Sequence, residues 1–432
     1  MSEGVLFLKS GRCAWGKCLF CGYGKIQEKV ISKNEFKRYL HKFFNSIKNI
    51  NHIDHIKVFS SGSFLDERQL PRELRKYFIS ECLNRGIKKV TIESRPEFVT
   101  EESIDDFDNL DLEIAIGLEI ADNNVLKKIN KGFYLRDFER AASLIHAKGA
   151  GVRTYLLVNL PFIENMENSL NTSVEYALKF SDSVVLINLL PHSNSDLFKL
   201  WIRGEWNFLS RDEFYRVTKR FASNPKIELD VETFRFVPKF PDELKENLSG
   251  VGERYLTHSH FEVWQDYLIR WYTPPAGKKF LLFLPCSYKK PYSKSETHKR
   301  IISKLKNLKN YNKIHEIMIS NAGVVPREFE NYYPFNSYDW DEKKETEEIK
   351  MRYIDVTKNR IKKYIRRHIK NYLKTFCFLK YDSESFIALK RAYDELGMEC
   401  RNLLIRDINE PKPLQTDKAL NELYRGLKNE IG

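Results

Sequence analysis

The sequence predicts an α/β protein: an open (βα)6 partial barrel followed by a second, smaller α/β domain. Three observations carry that expectation. First, strand-like apolar runs alternate six times with segments of helical apolar spacing, the pattern of parallel strands joined by crossover helices. Second, three of the seven cysteines (Cys13, Cys18 and Cys21) fall within nine residues directly after the first strand. Such folds keep their chemistry at the C-terminal ends of their strands. Third, proline-rich breaks at 237–241 and 273–277 precede a new strand-led segment. The expected layout is one domain over 1–240, a helical linker over 241–277 and a second domain over 278–432.

Each element has its own signal. Val5–Leu8 is the first strand, and Phe36, Leu40, Phe43, Phe44 and Ile47 put a helix over Asn34–Lys48. Strands follow at His55–Phe59, Lys89–Glu93, Leu112–Glu119, Val152–Val158 and Ser183–Asn188. Helices over Pro71–Asn84, Arg136–Ala147 and Met166–Phe180 connect them. The loops after these strands are polar. Ser61, Gly62 and Ser63 follow the second strand, and Gly62 lets the backbone approach a ligand closely. Glu93 and Arg95 end the third strand. Glu119 ends the fourth, where a carboxylate is costly to bury without a partner. Individually such residues are common at strand ends; at the end of the sheet that holds the cysteines they form a candidate site.

In the second half, Asp242–Arg270 reads as helix and Lys279–Leu284 as strand. The strand runs into Cys286, Lys289, Lys290, Ser293, Ser295 and His298, with Ser293 a candidate helix cap. Glu347–Lys374 is a long helical stretch with Ile361, Ile365, Ile369 and Leu373 on one face. Lys358, Arg360, Lys362, Lys363, Arg366, Arg367, Lys370 and Lys374 occupy the others. Like charges so placed repel unless a polyanion lies alongside; the competing reading is a solvated face. Phe376–Leu379 reads as a strand, Ser385–Glu395 as a helix, and the C-terminus as a surface helix.

Clustered thiolates repel one another unless a metal neutralises them, so the three cysteines read as a ligand set. A structural zinc takes four protein ligands, commonly in two spaced pairs, and no second pair occurs here. An iron–sulfur cubane suits three thiolates, each on its own iron with a fourth iron left open. The 432 residues are 42% hydrophobic, ample for packed cores. No apolar run approaches the roughly 18 residues of a membrane span, and no charged-then-apolar leader precedes the first strand. The expectation is a cytoplasmic protein with no membrane partner, its scattered cysteines fitting a reducing compartment. A formal charge of +13 points to a polyanionic partner, most simply nucleic acid.

The C-x4-C-x2-C spacing with Phe20 before the last cysteine resembles the radical S-adenosylmethionine (SAM) superfamily. That resemblance implies that Cys13, Cys18 and Cys21 hold a 4Fe–4S cluster whose open iron chelates SAM. Reductive cleavage of the cofactor then gives a 5′-deoxyadenosyl radical that abstracts a substrate hydrogen. Ser61, Gly62 and Ser63 stand where the superfamily often has a Gly-Gly-Glu cradle, and they join Glu93, Arg95 and Glu119 as the implied cofactor-binding residues. The order Ser60–Asp66, Glu93–Glu97, Gly117–Glu119 and Asn130–Phe133 is similar to the radical-SAM archaeosine-forming lyases, relatives of the catalytic unit of Elongator, over residues 3–245. Those enzymes act on tRNA whose position 15 carries a lysine adduct of 7-cyano-7-deazaguanine (preQ0). They cleave a lysine C–N bond to leave the amidine of archaeosine, and they draw electrons from a donor such as ferredoxin or flavodoxin.

Pro285-Cys286, Lys290-Pro291-Tyr292, Ser295 and His298, with Asn321–Glu328 further on, resemble the archaeosine synthase core over residues 278–400. That enzyme adds free lysine to the preQ0 nitrile in tRNA. The resemblance implies Cys286 as nucleophile, its thiolate stabilised by Lys289, Lys290 or His298, with His298 as acid or base and Lys290 placed for phosphate or the lysine carboxylate. The chain then reads as a fusion of the two last steps of archaeosine formation. Two alternatives stay open: a radical-SAM RNA-modifying lyase whose second domain only docks RNA beside a separate synthase subunit, or a non-catalytic iron–sulfur RNA-binding protein.

Overall fold

A computed structural model describes residues 2–26, 28–47, 53–406 and 410–431; Lys48, the expected end of the first helix, lies outside them. The chain forms two compact units, 1–236 and 237–432. The first is built on seven parallel strands in sequential order, curled as a half-barrel. They are β1 (Ser2–Leu8), β2 (Ile53–Ser60), β3 (Lys89–Glu93), β4 (Asp111–Glu119), β5 (Gly151–Val158), β6 (Ser183–Asn188) and β7 (Ile227–Asp230). Between them run α1 (Lys33–Ser46), α2 (Arg72–Leu83), α3 (Glu101–Asp105), α4 (Asn123–Lys128), α5 (Leu135–Ala147), α6 (Met166–Phe180), α7 (Asp196–Ile202) and α8 (Arg211–Thr218). The seventh strand was not expected. Its four residues, Ile227-Glu228-Leu229-Asp230, are too short a run to stand out as a strand.

Alternation along the strands sets the two faces of this sheet. Leu6, Leu8, Ile56, Val58, Val90, Ile92, Leu112, Ile114, Val152 and Leu156 share one core with Phe36, Leu40 and Phe44 of α1 and Phe138 of α5. The residues between them are largely polar and hydrogen-bond from strand to strand. His55 Nδ1 lies 3.2 Å from Glu3, His55 Nε2 lies 2.8 Å from Thr91 Oγ1, and Thr91 donates to Glu113 at 2.8 Å. Parallel sheets with helices on both faces are apolar on both. Here the helices cover one face, and the polar one is the inside of the half-barrel. The helix starts are locally encoded: Ser32 and Glu35 form a capping box on α1, and Ser210 and Glu213 another on α8.

The second unit has a five-stranded sheet in the order β11-β10-β9-β13-β14. It comprises β9 (Phe280–Pro285), β10 (Ile314–Ser320), β11 (Gly323–Pro326), β13 (Lys374–Cys377) and β14 (Arg401–Asn402), with only β10 and β11 antiparallel. A two-stranded ladder, β8 (Leu248–Ser249) with β12 (Tyr338–Asp339), stands apart. The helices are α9 (Ser259–Arg270), α10 (Glu296–Leu305), α11 (Glu347–His368), α12 (Glu384–Glu395) and α13 (Asp417–Ile431).

Several expectations change here. The segment 241–277, expected as a helical linker, packs within the second unit: Trp264 of α9 is fully buried against Phe329 and Phe335, and its indole N–H donates to Tyr333 O at 3.0 Å. Only α9 of that segment is α-helical. Ser295, not Ser293, caps α10 by accepting from His298 N, while Ser293 N donates to Glu330. The basic helix ends at His368, so Leu373 lies outside it and is 73% exposed, and Lys374 starts β13. Its charges are also less free than their spacing implied. Arg360 is buried and bound to Asn321 O, Leu256 O and Glu262, Lys358 and Lys362 pair with Glu395, and Lys374 pairs with Glu430. Among the described residues Lys363, Arg366 and Lys370 are exposed and carry no ion pair.

Candidate functional site

The cysteine loop leaves β1 and is fastened by the turn after α4. Leu19 N donates to Ile129 O at 2.9 Å, Asn130 Nδ2 to Lys17 O at 3.1 Å and Trp15 Nε1 to Asn130 O at 2.7 Å. Gly132 adopts φ +77°, and a Cβ there would sit 2.3 Å from the Trp15 ring, so this turn admits only glycine. The Cys18 thiol lies 3.9 Å from Lys131 O. Burial pushes Cys18 up to about 11, with the charge on Cys21 adding to the effect. Cys21 is raised by burial, with Cys13 adding to the effect.

The ends of β2, β3 and β4 complete the cluster of polar groups. Glu93 accepts from Ser60 N at 3.0 Å, and burial, with Glu119 nearby, raises its carboxyl to about 7. Glu119 takes φ +72° at a register shift between β4 and β5. A side-chain-bearing residue there costs about 1–2 kcal/mol, and the bulge re-aims its carboxylate onto Lys131 at 2.6 Å. Burial disfavours the Lys131 ammonium, but Glu119 and Cys18 outweigh it and hold the group above its usual range. Arg95 donates to Lys131 O at 3.1 Å and pairs with Glu97, and its guanidinium lies over the rings of Trp15 and Phe133.

Ser61, Gly62 and Ser63 divide in role. Ser63 is committed within the protein: its N–H donates to Gln69 Oε1 at 2.7 Å, and its hydroxyl accepts from Arg95 N at 3.0 Å. A Cβ on Gly62 would lie 2.2 Å from Gln69 Oε1, so a side chain there would push the Gln69 carboxamide off Ser63 N. The hydroxyls of Ser60 and Ser61 are buried without a hydrogen-bond partner in the chain, which leaves them for a ligand at the strand end.

Four positions escaped sequence reasoning. Lys131 and Trp15 tie the cysteine loop to the sheet, and Gln69 joins the loops after β1 and β2 through Ser10 and Ser63. His192, after β6, packs so closely on the cysteine loop that a Cβ on Gly22 would fall 1.7 Å from its Nδ1. A lone histidine after a strand carries no signal; Lys131 at least stood in a turn with a family resemblance.

These residues fit a 4Fe–4S cluster and SAM. Among the described residues no three His, Cys, Asp or Glu side chains converge as ligands of a single ion. A cubane asks for no such convergence, since each thiolate takes its own iron. Three thiols on one loop, two unpartnered hydroxyls and the carboxylates of Glu93 and Glu119 supply what the pair of groups requires.

In the second unit, Cys286 follows β9, with Lys290 close enough for each to perturb the other. Burial pushes the thiol up to about 11 against the opposing pull of Lys290, and burial lowers the Lys290 ammonium. The resting thiol is therefore protonated at neutral pH, not the thiolate expected. Lys290 Nζ donates to Ser287 O and Tyr288 O and lies 4.3 Å over the Tyr338 ring. His298 is fully buried, with Nε2 donating to Pro285 O at 2.9 Å and Nδ1 accepting from Arg327 at 2.9 Å. Burial and Arg327 hold it down at about 3. With both ring nitrogens engaged it braces the loop and is not placed as the expected acid or base.

The sequence matches bear on this half-barrel and its thiol loop. Residues 8–171 match the Radical SAM superfamily, and residues 261–424 match a domain of unknown function, DUF5591. The chain thus carries a radical SAM domain followed by a DUF5591 domain, and radical SAM domains use a 4Fe–4S cluster and SAM. It is 28% identical over 242 residues to archaeosine synthase subunit beta of Methanosarcina acetivorans, covering 52% of this chain and 68% of that protein. It is 40% identical over 77 residues to archaeosine synthase subunit alpha of Thermoplasma acidophilum, covering 18% of this chain and 14% of that protein. Among solved structures, a queuine lyase from Clostridium spiroforme bound to SAM and queuine aligns with TM-score 0.40 and 19% identity, over 52% of this chain and 90% of that chain. Two further curated relatives are spanned over only 47% and 61% of their lengths. No described helix is long and apolar enough to cross a membrane.

Proposed function

We propose that this chain acts on tRNA in archaeosine formation, its first unit cleaving the lysine C–N bond of the preQ0–lysine adduct at position 15 and leaving the amidine. The observation that carries the reading is the placing of Cys18 and Cys21 beside Lys131 and its partner Glu119, with Glu93 at the same strand ends, in a chain similar to both archaeosine synthase subunits. When bound, the cluster and SAM supply the electron-driven hydrogen abstraction. The chain's own residues do the holding. Cys13, Cys18 and Cys21 take the cluster, the hydroxyls of Ser60 and Ser61 meet polar groups of the cofactor, and Glu93 and Glu119 face its donors. Trp15, Arg95 and Lys131 keep the loop in register. The electron donor is a ferredoxin- or flavodoxin-like protein.

The second unit adds free lysine to the nitrile at Cys286 and Lys290, with His298 positioning the loop. Burial keeps the Cys286 thiol protonated, so its addition to the nitrile carbon places that proton on the nitrile nitrogen, and the amine of free lysine then displaces the thiol from the thioimidate. The test is mass spectrometry of nucleosides after incubating preQ0-containing tRNA with the protein, SAM and dithionite, with and without lysine. Archaeosine formed only with lysine supports both steps. Archaeosine formed only from pre-made adduct assigns the second unit to RNA docking beside a separate synthase subunit. No 5′-deoxyadenosine and no product would overturn the enzyme reading in favour of a non-catalytic iron–sulfur RNA-binding protein.

A further inference from the structure

The second unit holds a solvent-open cavity of about 750 Å³ along the β14 edge of its sheet, over β13 and beside α12. Cys286, Lys290 and His298 do not line it. Its size lies within the about 300–1,000 Å³ typical of small-molecule sites, room enough for one nucleotide.

Most of its rim charges are already matched: Arg401 pairs with Glu430 at 3.0 Å and Lys390 with Asp394 at 3.1 Å, while Lys374 also reaches Glu430. Three polar groups are not, one of them the exposed carboxylate of Glu399, which carries no ion pair among the described residues. Arg406 carries no ion pair among the described residues and lies 5.0 Å over the Tyr381 ring. The Tyr393 hydroxyl, in a side chain only 2% exposed, has no hydrogen-bond partner. Tyr381 and Phe386 form an aromatic wall, their ring centres 4.9 Å apart. Cys400, partly exposed, lines the same cavity. Exposed Lys370 follows the lining residue Ile369, so the basic turn after α11 leads to the rim.

A stacking wall, an uncommitted guanidinium and an uncommitted hydroxyl are what one unpaired nucleotide needs: a face for its base, a partner for its phosphate and one for a polar edge. We infer that this cavity receives a single unpaired ribonucleotide of the tRNA substrate, its base on Tyr381, its phosphate on Arg406 and a polar edge at Tyr393. The inference rests on the reading that the chain acts on tRNA, and it makes the cavity an RNA-docking site separate from Cys286.

Cys400 provides the reporter. The alkylation rate of Cys400 by N-ethylmaleimide, resolved by peptide mass spectrometry, is compared for the full chain alone, with saturating unmodified tRNA transcript and with millimolar free lysine. The expected result is slowing by tRNA and none by lysine. Tyr381→Ala and Arg406→Ala, checked for wild-type melting, should each weaken tRNA binding, Tyr381→Ala by about tenfold. An unchanged Cys400 rate while tRNA is bound, equal protection by lysine, or wild-type affinity in both variants would overturn the inference. Failure to bind tRNA at all would remove the functional reading with it. Protection without nucleoside product would remove only the lyase assignment.

Discussion

Glu93 offers the sharpest test of the site's electrostatics. Burial raises its carboxyl from 4.5 to about 7, with only the Ser60 N–H, 3.0 Å away, favouring the charged form. An acid held higher in the folded than in the unfolded state binds more protons when folded. Stability therefore falls as pH rises, from the unfolded value of 4.5 through the folded value near 7. The full difference corresponds to about 3 kcal/mol, and partial solvent access to Glu93 discounts it to about 1–2 kcal/mol. Glu93→Gln keeps an acceptor for Ser60 N and removes the charge. Denaturant midpoints of cluster-free protein, taken at intervals from pH 5 to pH 8, should show wild type losing stability relative to Glu93→Gln by that amount. A difference independent of pH would mean that the carboxyl titrates normally, and the buried environment assigned to it would be wrong.

The other expectations are briefer. Anaerobic reconstitution should load about four irons per chain; Cys13→Ala, Cys18→Ala and Cys21→Ala should each abolish this, while Cys82→Ala, a buried thiol of α2, should not. Gly22→Ala should displace the cysteine loop from His192 and cost about 1–3 kcal/mol in melting measurements, with Gly22→Ala/His192→Ala recovering cluster content. Lys363→Glu, Arg366→Glu and Lys370→Glu should each reduce the slope of log tRNA affinity against log salt by roughly 0.7–0.9, and an unchanged slope would make that face merely solvated. Alkylation of Cys286 should be slow at neutral pH and climb towards pH 11, later still in Lys290→Met; a midpoint near the ordinary thiol value of about 8.5 would contradict its burial.

Periodicity makes most of the first unit legible in the sequence. Val58, Val90, Ile114 and Val152 stand on one face of their strands because apolar alternation is a local property of the sequence, and α6 begins and ends at Met166 and Phe180 as read. The cysteine loop was legible for the same reason, since its spacing is short and its residue type rare. What stayed hidden depends on contacts across long separations. Arg360 looked like one more exposed cation on a basic helix, yet it closes on Asn321 O and Leu256 O, far away in sequence. His298 looked reactive by residue type, and only Arg327 and Pro285 show that both of its nitrogens are occupied. β7 was missed because four residues cannot display a period.

The site itself lies where local rules are broken. Glu119 adopts a left-handed backbone that glycine would take without strain, and a carboxylate buried at a strand end would ordinarily be excluded. Both costs are met by Lys131, whose own ammonium would be expelled without Glu119. Lys131 in turn supplies, through its backbone carbonyl, the contacts to Cys18 and Arg95 that hold the cysteine loop on the sheet. Removing the Lys131 charge would leave Glu119 buried and unpaired, a loss of about 3–5 kcal/mol. Removing both charges together would relieve that penalty while leaving the backbone contacts of residue 131 in place. An apolar pair would pack the same space more stably, so the strained carboxylate, beside unpartnered serine hydroxyls and three thiols, fits the ligand site proposed above.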